Sequence, residues 1–414
     1  MATRPYTQEP IPVLEERPPI RRVPPRRWVR ENLFNSTLNS VMTVVFGVAL
    51  ALGIWRALRF LFVTARWEIV RVNLTNYMVG TFSREDIWRV WAAVYLLVVL
   101  VGVRWGIGVA RRAAAGERSS VHAPLQRIWP LAMFGVVVMI FSGSFVTILL
   151  LAGLAAVAIM AREAGRTLPP RAARWYPLVF LGGIIVAFEV IVGFGGVGYD
   201  RWSGLLLTMF LAIGGIVLSF PLGVLLALGR RSSFPAIRVV SVAYIELIRG
   251  VPLITLLFMG FLVLGFFLPP GTSTPSLVTR ALVAMILFTA AYVAEIVRGG
   301  LQAVPRGQIE AAQAVGLSPV KVTGLIVLPQ ALRAVIPAMV GQFISLFKDT
   351  SLAGFIGLFE LLEIARNITS QPRFLGQGLA AETLVFASFI YWVGAYWMSK
   401  TSQRLERRLG VGER

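Results

Sequence analysis

Charged residues fall in clusters that separate long apolar runs. Residues 32–55, 128–161, 202–229 and 250–279 contain no Asp, Glu, Lys or Arg. Each run reaches the roughly 20 residues a helix needs to cross a bilayer. The pattern predicts spans over 41–63, 88–110 and 176–194, then over 204–229, 253–268, 277–297, 334–351 and 382–400. Residues 128–161, 34 in all, would measure about 51 Å as one helix, well beyond a hydrocarbon core of about 30 Å. Ser142, Gly143 and Ser144 interrupt this run near its middle, so a hairpin of two short spans is expected. Residues 234–250 are read as an interfacial helix. Ten crossings follow, five on each side of residue 200, with both termini cytoplasmic.

Composition fits that pattern. The chain is 57% hydrophobic and 14% charged, with a mean hydropathy of +0.74, against roughly a quarter charged for a soluble protein. The fold class expected is an all-α polytopic membrane protein. Residues 1–35 form a basic tail rich in Pro and Arg, 36–200 an N-terminal transmembrane region, 201–400 a second block of spans, and 401–414 a basic tail. The charged start is too long for a signal peptide, and no small-residue cleavage pattern follows the first apolar run.

A net charge of +20 invites a nucleic-acid reading. The arginines argue against it because they border apolar runs, where the positive-inside rule and anionic lipid place them. Arg111, Arg112, Arg118 and Arg127 precede the run at 128–161, and Arg162, Arg166, Arg171 and Arg174 follow it. Membrane lipid, not nucleic acid, is the partner expected for these clusters. With no cysteine, thiolate metal sites and cysteine nucleophiles are excluded, and the one histidine, His122, sits in a polar connection.

One polar insert carries a spaced pattern. Between Arg298 and Pro329, Glu310, Ala311 and Ala312 are followed, after three intervening residues, by Gly316 and Leu317. Nine residues separate Gly316 from Ile326, and Leu328 and Pro329 follow. Residues 308–315 lack a β-branched run and have Gly316 as a stop, so a short helix is expected. Its small side chains leave the backbone approachable, and Glu310 offers one charge to a basic residue of a partner. Ser318 and Pro319 read as the cap and first position of the next helix.

That spacing resembles the EAA loop of binding-protein-dependent ABC importer permeases. The stretches YIELIRGVPL at 244–253, AYVAEIVRGG at 291–300 and FKDTSL at 347–352 are similar to the polar amino-acid uptake branch. The likeness runs over about 204–400. It implies the transmembrane domain of a type I ABC importer, a core of five spans preceded here by about five extra ones. It also implies that Glu310, Ala311, Ala312, Gly316, Leu317 and Pro329 belong to a coupling loop, 298–329, that docks into ATPase subunits. ATP and Mg would be bound on those partners, with no cofactor on this chain. The long N-terminal part resembles the larger permease of the general L-amino-acid importer. A second, different permease and a periplasmic or lipid-anchored amino-acid-binding protein are therefore implied, in the bacterial inner membrane.

No catalytic constellation is present: the chain lacks a GxxxxGK[ST] phosphate loop, HExxH and GxSxG. The substrate path is sought among polar residues in apolar surroundings, namely Lys348, Asp349, Thr350 and Glu360. Lys348 and Asp349 are adjacent on a helix and do not face each other. They could hold the two charges of an amino acid or pair with neighbouring helices. Glu360 and Glu363 would share a helix face and could cap a gate helix or attract an ammonium group. Glu295 and Arg298 are placed to pair at i,i+3, and Pro329 and Pro337 to kink or end helices. The competing class, a secondary transporter or channel without an ATPase, would leave the polar insert unexplained.

Overall fold

The computed structural model describes residues 24–116, 122–193 and 195–409. The tail before residue 24, Arg118 and residues 410–414 lie outside the described residues. Among those described there is no strand, only an isolated bridge between Gly204 and Glu360. Contacts divide the chain into two units, residues 1–65 and 66–414.

The first unit holds α1 (Pro25–Leu33) and α2 (Thr37–Arg59), prolonged by a π turn at Phe60–Thr64. Ser36 caps α2 by accepting the Asn39 amide, which satisfies one of the free donors of the first turn. With its π turn, α2 is an apolar helix of 28 residues, and none of its side chains is buried.

The second unit begins with α3 (Glu68–Val79), α4 (Ile87–Ala114), α5 (His122–Ser142), α6 (Phe145–Thr167), α7 (Pro170–Ala173) and α8 (Tyr176–Val192). It continues with α9 (Gly204–Arg230), α10 (Pro235–Arg249), α11 (Leu253–Phe258), α12 (Leu264–Phe267) and α13 (Leu277–Ala303). Four further helices, α14 (Arg306–Ala314), α15 (Pro319–Lys321), α16 (Leu328–Asp349) and α17 (Leu361–Asn367), lead to the last, α18 (Ala380–Leu409).

By length and composition, six of the described helices can cross a membrane. A seventh crossing results if α10 and α11–α12, bent by 104° at their junction, count as one. Trp129–Ser142 and Tyr176–Val192 are shorter apolar helices. The long run at 128–161 is two helices, with the break at Gly143 and Ser144. They pack on different neighbours: α5 against α18 and α3, α6 along α4.

The α4–α6 contact rests on small residues. A methyl group built at Gly106 would lie 2.0 Å from the Arg162 carbonyl oxygen, and one at Gly165 would lie 2.3 Å from that of Val103. Backbones this close are reached only where side chains are absent, the usual basis of helix pairing in lipid. Arg162 covers the pair from the side, its guanidinium 4.8 Å from the Trp105 ring centre.

The contacts of α3 differ from the expected arrangement. Residues 64–87 hold none of the predicted spans. Ile69, Val70, Leu74 and Tyr77 are buried in one cluster with Leu361, Ile364, Phe374 and Phe386, which lie on α17, α18 and the segment joining them. Tyr77 donates to the Thr383 carbonyl at 3.2 Å, and Gln371 donates to Asn73 at 2.8 Å. The Arg66 guanidinium reaches the Gln377 carbonyl at 2.9 Å, and Arg373 pairs with Glu68. These contacts, buried around Tyr77 and exposed at Arg66 and Arg373, join residues before and after position 200.

Candidate coupling loop and substrate-path residues

The polar insert folds as a two-faced helix. α14 spans Arg306–Ala314 and ends at Gly316, whose φ of 80° is strained for residues with a Cβ. The Gly316 amide donates to Gln313 at 2.9 Å and the Leu317 amide to Ala312 at 3.2 Å, closing the free carbonyls of the last turn. Ala312 is buried, and Ile309 and Leu317 pack beside it against a cluster containing Leu301, Val304, Val322 and Val327. Glu310, Ala311, Gln313, Ala314 and Val315 are exposed. Glu310 has neither an ion pair nor a hydrogen bond among the described residues. Ser318 precedes Pro319 at the start of α15 and makes no side-chain cap. Pro329 lies in the first turn of α16, where no amide donor is needed. Pro337 lies inside α16 without ending it.

Next to this loop, three elements share one group of charges. Arg298 donates its Nε to both oxygens of Glu295 at 2.9 Å, the i,i+3 pair expected from the sequence. Arg230 on α9 and Arg249 on α10 approach the same carboxylate at 3.7 and 3.8 Å. Arg230 also donates to Glu246 at 2.8 Å. Tyr244 donates to the Leu287 carbonyl at 2.8 Å, and Arg249 stacks 5.6 Å from the Tyr292 ring centre. The stretches at 244–253 and 291–300 thus meet in space. Each carries one acid and one arginine of the same cluster.

α16 leaves the loop with an unusual open face. Its exposed residues are Pro329, Gln330, Arg333, Ala334, Ala338, Gly341 and Lys348. By contrast, α8 exposes Leu178, Val179, Leu181, Ile185 and Val186, and α9 exposes Ile213, Val217, Leu218 and Leu225. The latter two surfaces suit lipid; a small and polar one suits water or protein. Lys348 and the half-buried Asp349 make no ion pair with each other, and neither has a hydrogen bond among the described residues. Thr350 is buried and donates to the Phe347 carbonyl at 2.7 Å.

Glu360 lies apart from that turn, in the connection between α16 and α18. It is fully buried and caps α17, accepting the amides of Leu362 at 2.8 Å and Glu363 at 2.7 Å. Tyr391 on α18 donates to it at 2.8 Å. Burial pushes the Glu360 carboxyl up to about 7, while these three donors pull it the other way. The adjoining backbone is tied to α9: Gly204 donates to Phe359 at 2.7 Å, and Leu361 to the Thr208 hydroxyl at 3.1 Å.

Sequence reasoning missed Tyr391, Thr208 and α3. The apolar spacing of Ile69, Val70, Leu74 and Tyr77 was the available signal for α3. Nothing local marks Tyr391, whose acceptor lies 31 residues earlier.

Residues 219–410 match the family described as the binding-protein-dependent transport system inner membrane component. The chain is 39% identical over 401 residues to the inner membrane amino-acid ABC transporter permease protein YhdY of Escherichia coli (strain K12), covering 93% of each. It is 34% identical over 425 residues to the glutamate/glutamine/aspartate/asparagine transport system permease protein BztC of Rhodobacter capsulatus, covering 96% of each. Among solved structures, an amino acid ABC transporter crystallised with histidines shares 32% identity at a TM-score of 0.44, over 50% of this chain and 92% of that one. The chain belongs to the amino-acid ABC transporter permeases. It is a multi-pass inner-membrane transport permease, all-α among the described residues.

Proposed function

We propose that this chain is the permease subunit of an ATP-driven, binding-protein-dependent importer of L-amino acids, coupled to its ATPase through α14. The observation that carries the coupling role is the asymmetry of that helix. Ile309 and Ala312 anchor it to the bundle, while Glu310, with no ion pair or hydrogen bond among the described residues, is exposed among small side chains. ATP and Mg are bound and hydrolysed on the partner ATPase, and a second, different permease completes the path. A periplasmic or lipid-anchored binding protein delivers the substrate. In this reading the termini and α14 are cytoplasmic, and Glu360 lies towards the outer side.

The open face of α16 lines the path, and Lys348 at its end receives the substrate carboxylate. Asp349 stands ready for the ammonium group. Thr350 and Glu360 act one step back, holding the end of α16 and the start of α17 in place. The name of the Rhodobacter relative makes glutamate, glutamine, aspartate and asparagine the first substrates to test. The experiment is uptake of labelled amino acids into liposomes holding this chain with its second permease, ATPase and binding protein. Uptake that requires ATP supports the reading. ATP-independent uptake by this chain alone would replace it with a secondary transporter.

A further inference from the structure

We propose that α1 is a docking surface for anionic phospholipid, laid in the membrane interface beside the start of α2. The proposal requires only that α2 crosses a membrane, and does not depend on the substrate or the ATPase.

At 100° per residue, Trp28, Val29 and Leu33 fall on one side of α1, with Asn32 between Trp28 and Val29; Arg26 and Arg30 border that side next to Leu33, and Arg27 and Glu31 lie opposite. The apolar side is open: Trp28 is 51% and Val29 39% exposed. Arg27 is paired with Glu31 at 2.7 Å. Arg26 and Arg30, one turn apart, have no ion pair among the described residues. Two guanidinium groups with no ion pair among the described residues therefore border one edge of an uncovered strip that includes a tryptophan.

The depth of the helix is also fixed. Thr43 donates its hydroxyl to the Leu33 carbonyl at 2.8 Å. Thr43 lies about 9 Å along α2 from its first residue. The last turn of α1 is thus held beside the second turn of the span instead of projecting beyond it. Amphipathic helices at a bilayer surface bury their apolar side about 5–10 Å into the boundary between headgroups and chains. Trp favours that layer, and guanidinium forks match phosphate oxygens. An occupant with both an acyl chain and a negative headgroup satisfies the two sides of α1 at once. A protein partner would need an acidic rim around an apolar groove, and is treated as a separate outcome.

The chain has no cysteine, which makes the test direct. Val29→Cys in the full chain is labelled with a polarity-sensitive fluorophore and placed in nanodiscs of phosphatidylcholine, with or without phosphatidylglycerol. Quenching by neutral acrylamide reads shielding of the label. Anionic lipid is expected to increase the shielded population, and R26Q and R30Q to reduce it about fivefold per arginine removed. High salt on the unsubstituted arginines should act in the same direction, and a label at Glu31→Cys should stay accessible throughout. The proposal fails if shielding is equal in the two lipid compositions. It also fails if shielding is unchanged by both R26Q/R30Q and salt, or if it arises only when partner subunits are added.

Discussion

Tyr391 on α18 donates its hydroxyl to Glu360 at 2.8 Å, and Glu360 is the residue that caps α17. One carboxylate therefore fixes the start of a short helix and ties it to the last span. Gly204 and Thr208 bind the adjoining backbone, so three parts of the bundle meet at this point.

A pH dependence follows from the burial of Glu360. Its carboxyl is raised from the usual 4.5 to about 7 in the folded state, so the native protein holds the proton more strongly than the unfolded chain. Stability is accordingly expected to fall as pH rises from about 4.5 to about 7, then to level off. Glu360→Gln should flatten that window. The check is the unfolding midpoint of both forms in detergent across this range; parallel profiles would refute the assignment.

Removing the Tyr391 hydroxyl leaves the carboxylate with two donors instead of three. Tyr391→Phe is expected to cost about 1.5–3 kcal/mol of stability, the range for a hydrogen bond to a charged group. Glu360→Gln should cost less in the Tyr391→Phe background than alone, because the two residues share one interaction. A double-mutant thermal unfolding series measures this, and simple additivity would count against the link.

Two glycines on α4 give opposite expectations. Gly106 touches the backbone of α6, whereas a methyl group at Gly108 would meet nothing within 4 Å. Gly106→Leu should force α4 and α6 apart and lower stability by at least about 1–3 kcal/mol. Gly108→Leu should be close to neutral. Folded yield and melting temperature in detergent distinguish the two, and equal tolerance would disprove the close packing.

The short helix α14 was legible in the sequence because its information is local: Glu310, the alanines and Gly316 sit at fixed offsets within one turn-bounded segment. The break at Gly143 and Ser144 was legible for a similar reason, since a 34-residue apolar run exceeds the membrane thickness. α3 was not, because its 12 residues fall below span length and its apolar side has meaning only once α17 and α18 lie against it. Glu360 offered two readings, a cap or a charge facing substrate, and only the positions of the Leu362 and Glu363 amides reveal the cap. Pro337 shows the limit of a local rule: α16 continues through it.

Lys348 is exposed and unpaired, whereas Asp349 beside it is half-buried. If Lys348 meets the substrate carboxylate, Lys348→Gln should raise the KM for uptake roughly tenfold, the effect of losing a charge-assisted hydrogen bond. Lys348→Arg should retain most of the affinity. An unchanged KM with lowered kcat would move Lys348 out of the binding step.

The central claim is that Glu310 transmits ATP hydrolysis to the path. Its most direct test compares amino acids imported per ATP hydrolysed by the purified complex containing either Glu310 or Glu310→Lys, with subunit content and melting temperature measured alongside. The substituted complex is expected to lose most of its uptake per ATP while its permease subunits remain folded, since Glu310 makes no ion pair or hydrogen bond among the described residues. Uptake per ATP equal to that of the unsubstituted complex would contradict it.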